Sequence, residues 1–247
     1  MNWDKVKIRC SSLGELMTEP QSKAEKEAGE LSQTAKTMLI NTYIQYKYNR
    51  KKEIETKQMR KGKDGEENGI EMLSLFTGRV LLKNDERLEN DYFTGEPDVF
   101  EGEDIRNADF IWDTKLSLDI WTFLANVPKA INKDYNLQLQ GYFSLTGAKR
   151  GAIAYVLADC PEHIIETEKY RLFQSMSVVS EEDAEFVRRA YELERNLSYP
   201  DIPLEEKILA FYVERNDELI EKMQDKVKKA RLFLAEFEEK HLKFNTK

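Results

Sequence analysis

The sequence predicts an α/β protein in which a central mixed β-sheet is flanked by helices, with further helices at both ends of the chain. A length of 247 residues and a hydrophobic share of 40% are enough for one sizeable core. Helical periodicity dominates the two ends, whereas the middle holds short segments rich in β-branched and aromatic residues. A strand, helix, strand order within that middle part is typical of a mixed sheet.

The N-terminal part predicts helices. From about Lys26 to Arg60 the sequence is charged and free of proline, which favours one or two long helices. The residues that recur there at helical spacing are Leu31, Ala35, Met38, Leu39, Thr42 and Tyr46. A further helix is expected to begin near Gly65 and to end at Gly78, a glycine stop signal after "IEMLSLF".

The middle of the chain predicts the sheet. The segments "RVLLKN", "DYFTGEPDVFEG" and "ADFIWDTKLS" predict consecutive antiparallel strands. After them, "YNLQLQGYFSLTG" has the length and closing glycine of a helix, and "GAIAYVLAD" is the apolar run expected of a strand buried on both faces.

The C-terminal part, from about Ser180, predicts helices separated by a turn at "SYPDIPLEE". The last helix carries an apolar stripe that predicts packing against this core or against a neighbouring subunit. The residues of that stripe are Ile220, Met223, Val227, Ala230, Leu234 and Phe237.

Composition limits the function classes. A formal net charge of −8 argues against a protein that coats nucleic acid through its overall charge, but it leaves room for a local basic channel. With Cys10 and Cys160 as the only cysteines, neither a disulfide framework nor a multi-cysteine zinc or iron–sulfur site can form within the chain. The N-terminus lacks the apolar region of a signal peptide, and no stretch approaches a membrane span, so we expect a cytoplasmic protein.

Two carboxylates and an ammonium group converge on the predicted sheet. Alternation along "FIWDTKL" places Asp113 and Lys115 on one face, and Asp98 of "EPDVF" can face the same point from the neighbouring strand. Converging carboxylates suit a hard divalent cation such as Mg²⁺, beside which Lys115 would orient an attacking water. The alternative is that Asp98 caps a turn while Asp113 and Lys115 form a structural ion pair.

Other polar residues extend this group. Glu67 is the preferred third acidic ligand from the preceding helix, with Glu66 and Glu71 as alternatives. Gln138 and Tyr142 are spaced i to i+4 and share one face of the following helix. Near the N-terminus Ser11 or Ser12 can cap a helix, and with Lys7 and Arg9 its N–H groups would hold a phosphate.

Basic residues are concentrated before the predicted Gly65 helix, where they could line a track for a phosphodiester backbone. A solvated helix face explains the same pattern equally well. These residues are Lys47, Arg50, Lys51, Lys52, Lys57, Arg60, Lys61 and Lys63.

The ordered set of a helix glutamate, "PD", "DTK" and "QLQGY" resembles the PD-(D/E)xK nuclease superfamily, and within it the phage lambda exonuclease or YqaJ-like viral recombinase family. The resemblance runs from about Lys5 to Ala154 and implies a restriction-endonuclease-like core. "IRCSSLGELM" is similar to a family segment that contributes to a pocket for a terminal 5′ phosphate, which places Ser11 at the family serine. "ENGIEMLSLFTG" aligns Glu67 with the helix glutamate, although a shift of one residue selects Glu66.

The resemblance also implies roles at the site. Asp98, Asp113, the Thr114 carbonyl and Glu67 would hold one or two Mg²⁺ ions, for which Mn²⁺ would substitute. Lys115 would be the catalytic lysine and Gln138 the active-site glutamine, with Tyr142 beside it. The sequence departs from the family at Glu96, where the family has a serine, and in "SLDIWTF", which lacks an arginine.

The implied function is a 5′-to-3′ exonuclease that acts on double-stranded DNA ends and leaves 3′ single strands for recombination of the phage type, encoded by a phage or prophage. A homotrimeric ring and a single-strand annealing protein as partner follow from the same resemblance. We expect one domain over residues 1–247, with a helical part at 1–64, a catalytic core at 65–178 and C-terminal helices at 179–247. The alternatives are an endonuclease or helicase-linked RecB-type nuclease of the same superfamily, and an inactive nuclease-like scaffold.

Overall fold

The computed structural model describes residues 2–51, 64–117, 119–127, 129 and 131–244. Its strands are β1 (Ile8–Arg9), β2 (Leu82–Lys83), β3 (Leu88–Glu89), β4 (Phe93–Gly95), β5 (Val99–Glu101), β6 (Phe110–Leu116), β7 (Arg150–Val156) and β8 (Ile208–Glu214). Its helices are α1 (Leu13–Leu16), α2 (Lys23–Glu27), α3 (Gln33–Tyr48), α4 (Glu66–Thr77), α5 (Ile120–Leu124), α6 (Lys133–Thr146), α7 (Glu162–Met176), α8 (Ala184–Arg195) and α9 (Asp217–Phe244). Short 3₁₀ turns occupy Trp3–Lys5, Cys10–Ser12, Ile105–Asn107 and Leu204–Glu206.

The central sheet is mixed and has the strand order β2-β5-β6-β7-β8. The pair β6 and β7 is parallel, and the other three neighbouring pairs are antiparallel. Helix α6 makes the crossover between the parallel strands, as the sequence predicted. A second, smaller sheet joins β1, β4 and β3 in that order.

Alternation along β6 divides the hydrophobic core between the two faces of the central sheet. Ile111 packs into the cluster that contains Leu139 and Phe143 of α6, whereas Trp112 packs with Ile70 and Leu73 of α4. Helix α9 covers the first face through the predicted stripe, and its Ile220, Met223, Val227, Ala230 and Leu234 are buried. That stripe therefore packs against this chain's own core.

The N-terminal helices differ from the prediction in their limits. The expected helix from about Lys26 is interrupted, because Gly29 has a φ of 66° and Ser32 caps a new helix by accepting a hydrogen bond from the Ala35 amide. Helix α3 ends where Asn49 adopts a left-handed conformation. The helix expected from Gly65 to Gly78 is confirmed as α4, with Gly78 at a φ of 64°.

Two predictions about strands and the tail were wrong. "DYFTGEPDVFEG" forms two strands in different sheets, because Pro97 lies between β4 and β5 and supplies no N–H for a continuous ladder. The tail is not wholly helical: "ILAFYVE" forms β8, which completes the antiparallel ladder of β7. The short apolar run of β8 has neither clear helical nor clear strand periodicity, so the neighbouring strand decides its conformation.

Among the described residues, no helix combines the length and apolar character that crossing a membrane requires.

Gln140 connects α6 to the end of β8. Its side chain is 2% exposed, and its Nε2 donates to the Glu214 carbonyl at 2.8 Å. Its Oε1 accepts from the Asn216 amide at 2.8 Å. Both polar ends of the buried amide are thus satisfied by backbone groups, which gives Gln140 a structural role.

We predict that Gln140→Leu lowers the free energy of unfolding by about 1–3 kcal/mol, because it removes the buried side chain that bonds the Glu214 carbonyl and the Asn216 amide in partly buried contacts. Urea unfolding measures this change. Gln174→Leu, at an exposed position of α7, is the matched control and should change stability by less than about 0.5 kcal/mol. Equal effects of the two substitutions would contradict the structural role.

Candidate active site

Asp98 is fixed at the start of β5 by the neighbouring strand. Its Oδ2 accepts hydrogen bonds from the Thr114 amide at 3.0 Å and from the Thr114 hydroxyl at 3.2 Å. These contacts hold its carboxylate beside the middle of β6.

Asp113 and Lys115 point to the same face of β6, as alternation predicted. The Lys115 Nζ lies 3.0 Å from Oδ1 and 2.9 Å from Oδ2 of Asp113. Asp113 is fully buried, and its Oδ2 makes no hydrogen bond of acceptable geometry. The ion pair therefore leaves part of a buried carboxylate unsatisfied, which is a costly arrangement for a purely structural pair.

Helix α6 adds polar and aromatic side chains to the cluster. Gln138 donates from Nε2 to the Tyr142 hydroxyl at 2.8 Å and lies 3.4 Å from Asp113 Oδ1. The Tyr135 ring lies 4.7 Å from the Lys115 Nζ in a cation–π contact. The ring of Tyr142 packs against Gly95, where a Cβ would approach Tyr142 Cε1 to 2.8 Å.

The electrostatics show an excess of negative charge. Burial, and then the charge of Asp113, raise the pKa of Asp98 to about 7. The same two causes raise the pKa of Tyr142 well above its usual value and raise that of the Cys10 thiol. Burial alone would lower the pKa of Lys115, but the charges of Asp113 and Asp98 outweigh it and raise that pKa.

The helix glutamates occupy different environments. Glu67, the preferred ligand from the sequence, is exposed, and so is Glu71. Glu66 is half-buried, and its charge contributes to the raised pKa of Asp98. Its Oε1 lies 3.7 Å from the Lys83 Nζ. Its burial and its charge effect on Asp98 therefore favour the alternative, Glu66, over Glu67 and Glu71.

The donor set fits a hard divalent cation. Asp98 and Asp113 supply carboxylate oxygens, one of them buried and without a hydrogen bond, in a region whose pKa shifts indicate uncompensated negative charge. No cluster of three His, Cys, Asp or Glu side chains with metal-binding geometry occurs in the described part of the chain. The two carboxylates alone match the protein ligands that Mg²⁺ commonly takes, because it keeps several waters and binds one or two carboxylates together with substrate phosphate.

A cleft of about 570 Å³ contains part of the predicted phosphate site, and its lining does not include Asp98, Asp113 or Lys115. Lys7, Arg9 and Ser12 line it, whereas Ser11 is exposed outside its lining. The predicted serine cap is not formed, because Ser12 at the start of α1 makes no side-chain capping bond. The Arg60 and Lys61 positions lie outside the described residues, as does most of the basic segment.

Several polar residues of the cleft carry no sequence motif, and the prediction missed them. Arg87 and Asp113 have opposite effects on the pKa of the Cys10 thiol: the arginine lowers that pKa and the aspartate raises it. Cys10 is therefore within electrostatic range of both Arg87 in the cleft wall and Asp113. The other residues of this kind in the lining are Asn41, Gln45 and Thr94, whereas Lys51, also in the lining, belongs to the predicted basic segment.

Comparison with solved structures gives full-length matches. A phage-related exonuclease from Haemophilus somnus 129PT has 28% sequence identity and a TM-score of 0.72, covering 96% of this chain and 97% of that chain. An alkaline exonuclease from Laribacter hongkongensis has 15% identity and a TM-score of 0.62, covering 99% of this chain and 96% of that chain. Its complex with dAMP has 16% identity and a TM-score of 0.60, covering 97% and 93%.

Neither a family model nor a curated protein matches the sequence. The structural matches nevertheless confirm the predicted resemblance to the lambda exonuclease family and the predicted restriction-endonuclease-like core.

We predict that Asp98→Asn stabilises the protein in EDTA at neutral and alkaline pH. The folded-state pKa of about 7 lies above the ordinary value of 3.8, so ionising Asp98 destabilises the folded state. This loss of stability begins at about pH 4, increases with pH, and reaches its full size above about pH 7. The substitution should therefore raise the free energy of unfolding by about 2–4 kcal/mol at pH 8 and change it little at pH 4.

Denaturant unfolding at the two pH values measures this difference, with the exposed Asp201→Asn as control. A gain that is the same at pH 4 and pH 8 would show that the carboxylate charge is not its cause.

Proposed function

We propose that this chain is a Mg²⁺-dependent DNA exonuclease. The observation that carries the proposal is the pair of the half-buried Asp98 and the fully buried Asp113, with the Lys115 Nζ 2.9–3.0 Å from the Asp113 oxygens. This group lies on a fold that matches a phage-related exonuclease over nearly its full length at 28% identity. An enzyme that hydrolyses phosphodiesters needs charge neutralisation and an oriented water at one point, and these residues are placed to provide both.

In the proposed mechanism Asp98 and Asp113, with the Thr114 carbonyl and Glu66 or Glu67, hold the cation. A bound Mg²⁺ would supply Lewis acidity toward the scissile phosphate and lower the pKa of a coordinated water. The hydrogen bonds from Thr114 keep Asp98 aimed at the site.

The remaining groups act on the nucleophile. Lys115 stays protonated, since neighbouring carboxylates raise its pKa, so its role is to orient water and stabilise negative charge on phosphorus. Tyr135 packs along its ammonium group and restricts its position. Gln138 is hydrogen-bonded to the Tyr142 hydroxyl and directs its amide toward the Asp113 carboxylate, where it helps to position the attacking water.

The proposed substrate is the 5′ end of double-stranded DNA, degraded in the 5′-to-3′ direction to leave a 3′ single strand for recombination of the phage type. The cleft that contains part of the predicted phosphate site supports an end-binding site, because Lys7, Arg9 and Arg87 bring basic groups to its wall. Two of them are partly neutralised: Lys7 lies 2.6 Å from Glu89, and Arg87 lies 2.9 Å from Glu96. A terminal 5′ phosphate would compete with these glutamates for the basic groups.

A homotrimeric ring around DNA, and cooperation with a single-strand annealing protein, form the wider part of the proposal. Their support is the family resemblance. The cytoplasm, where such DNA ends occur, is the proposed place of action.

We predict that the protein degrades linear duplex DNA and not covalently closed circles, that EDTA abolishes this activity, and that a 5′ phosphate favours it. Lys115→Ala should reduce kcat by about 10²–10⁴-fold, because it removes an oriented cation from the reacting phosphate. Release of acid-soluble nucleotides measures the rate, and Lys222→Ala, exposed on α9, is the control. Cutting of closed circles would support an endonuclease, and no cleavage with Mg²⁺ or Mn²⁺ would support an inactive scaffold.

We predict that Glu66→Gln and Glu67→Gln differ, because Glu66 is half-buried and acts on Asp98 whereas Glu67 is exposed. Glu66→Gln should raise the Mg²⁺ concentration for half-maximal cleavage by about 10–100-fold, and Glu67→Gln should leave it close to that of the wild type. A Mg²⁺ titration of the cleavage rate separates the two, and the reverse order would assign the role to Glu67.

A further inference from the structure

Strand β8 is the edge of the central sheet, and it lies away from the carboxylate cluster, two strands beyond β6. It is seven residues long and contains no proline or glycine. An edge strand of this length exposes backbone donors and acceptors that can pair with another extended chain.

The hydrogen-bond register identifies which backbone groups face outward. The Leu157 amide donates to the Lys207 carbonyl, and the Arg215 amide donates to the Lys149 carbonyl. In an antiparallel ladder hydrogen-bonded pairs alternate with non-bonded ones. Leu209, Phe211 and Val213 therefore bond to β7, whereas the even-numbered residues direct their N–H and C=O groups to the open side.

Among the described residues, only the Glu214 end of that open side has a hydrogen-bond partner. The Glu214 carbonyl accepts from Gln140 Nε2, as expected for an outward-facing group. The outward groups of Ile208, Ala210 and Tyr212 have no backbone partner in the described part of the chain. Three consecutive outward positions offer six hydrogen-bonding groups, which one extended peptide can satisfy.

A groove borders this edge on the Tyr212 face and can accept a side chain. Its volume is about 670 Å³, and its walls combine the aromatic residues Phe76, Phe110, Trp112 and Tyr212 with the charged residues Arg79, Arg150 and Glu214. The Tyr212 ring lies 6.1 Å from that of Trp112 and is itself 65% exposed. The adjacent Ala210 is half-buried and leaves space beside the ring. The groove therefore suits an aliphatic or aromatic side chain.

Acidic residues stand at both ends of the open edge. Glu205 and Glu206 precede β8 and Glu214 ends it, and all three are exposed. None of them has an ion pair with a described residue; Arg150, opposite Glu214, instead lies 5.9 Å from the Phe110 ring.

This charge pattern discriminates between occupants. Two copies of β8 paired antiparallel about Ala210 would bring the 3₁₀ turn that ends at Glu206 in each copy close to the Glu214 end of the other, so that carboxylates of both copies would meet at each end. Like charges in that position destabilise a strand pair. A peptide with lysine or arginine at both ends would place a cation near Glu205 and Glu206 at one end of the edge and near Glu214 at the other.

From these observations we infer that the β8 edge is a docking site for an extended segment of a partner protein, with apolar side chains at alternate positions and a basic residue at each end. The segment would add a sixth strand to the sheet and insert one apolar side chain into the groove beside Tyr212. This site is separate from the proposed nuclease centre and does not depend on it.

Hydrogen exchange tests the site without any substitution. In the free protein the amides of Ile208, Ala210 and Tyr212 should exchange much faster than those of Leu209, Phe211 and Val213. Saturation with the blocked peptide KTVTVTFTK, whose lysines match the spacing of Glu206 and Glu214, should slow exchange of the three outward amides. If these amides are already protected in the free protein, or are not protected by the peptide, the inference is wrong.

Fluorescence polarisation with the labelled peptide tests the recognition chemistry. Ala210→Pro removes an outward N–H and leaves the β7 ladder intact, so it should weaken binding by about tenfold or more. The peptide ETVTVTFTE should bind more weakly than KTVTVTFTK.

Equal binding by Ala210→Pro and the wild type would overturn the inference. So would a β8-dependent dimer in light scattering, since the edge would then belong to a second copy. Circular dichroism verifies that the proline variant is folded.

Discussion

The arrangement on which the rest of the structure depends is a pair of carboxylates held in the interior against one ammonium group. Asp113 is fully buried, and one of its oxygens makes no hydrogen bond. Asp98 shares the site, and its pKa is raised to about 7, first by burial and then by the charge of Asp113. Lys115 alone does not balance this charge, so the fold carries a local instability that a divalent cation would relieve.

The surrounding elements hold these groups in place. The antiparallel pairing of β5 with β6 sets Asp98 beside Thr114, and the parallel pairing of β6 with β7 buries Asp113 in the middle of the sheet. Helix α6 closes one side with Gln138 and Tyr142, and the next glutamine along that helix, Gln140, fixes the helix to the end of β8. Helix α6 therefore connects the candidate active site to β8, the edge strand of the central sheet.

The sequence predicted those parts of the site that depend on local periodicity. A strand has a two-residue repeat, so Asp113 and Lys115 had to share a face, and a helix brings residues four apart together, as with Gln138 and Tyr142. It could not decide between Glu66 and Glu67, because adjacent residues on a helix differ in direction by about 100° and tertiary packing sets the rotation of α4.

The features that depend on long-range contacts were also missed. Strand β8 takes its conformation from β7, since its apolar run carries no decisive period of its own. Cys10 and Arg87 come from separate segments and meet beside Asp113 only in the folded chain. Gln140 resembles Gln138 in sequence, but its partners, the Glu214 carbonyl and the Asn216 amide, are more than seventy residues away.

The most direct test of the central claim is to locate a cation by anomalous scattering from crystals soaked in Mn²⁺. The account predicts a peak bound by carboxylate oxygens of both Asp98 and Asp113, at about 2.0–2.6 Å from them. It also predicts that the Asp113→Asn variant loses this peak. A cation bound elsewhere, or a site that stays empty while Lys115 keeps its contact with Asp113, would show that the cluster is a structural ion pair.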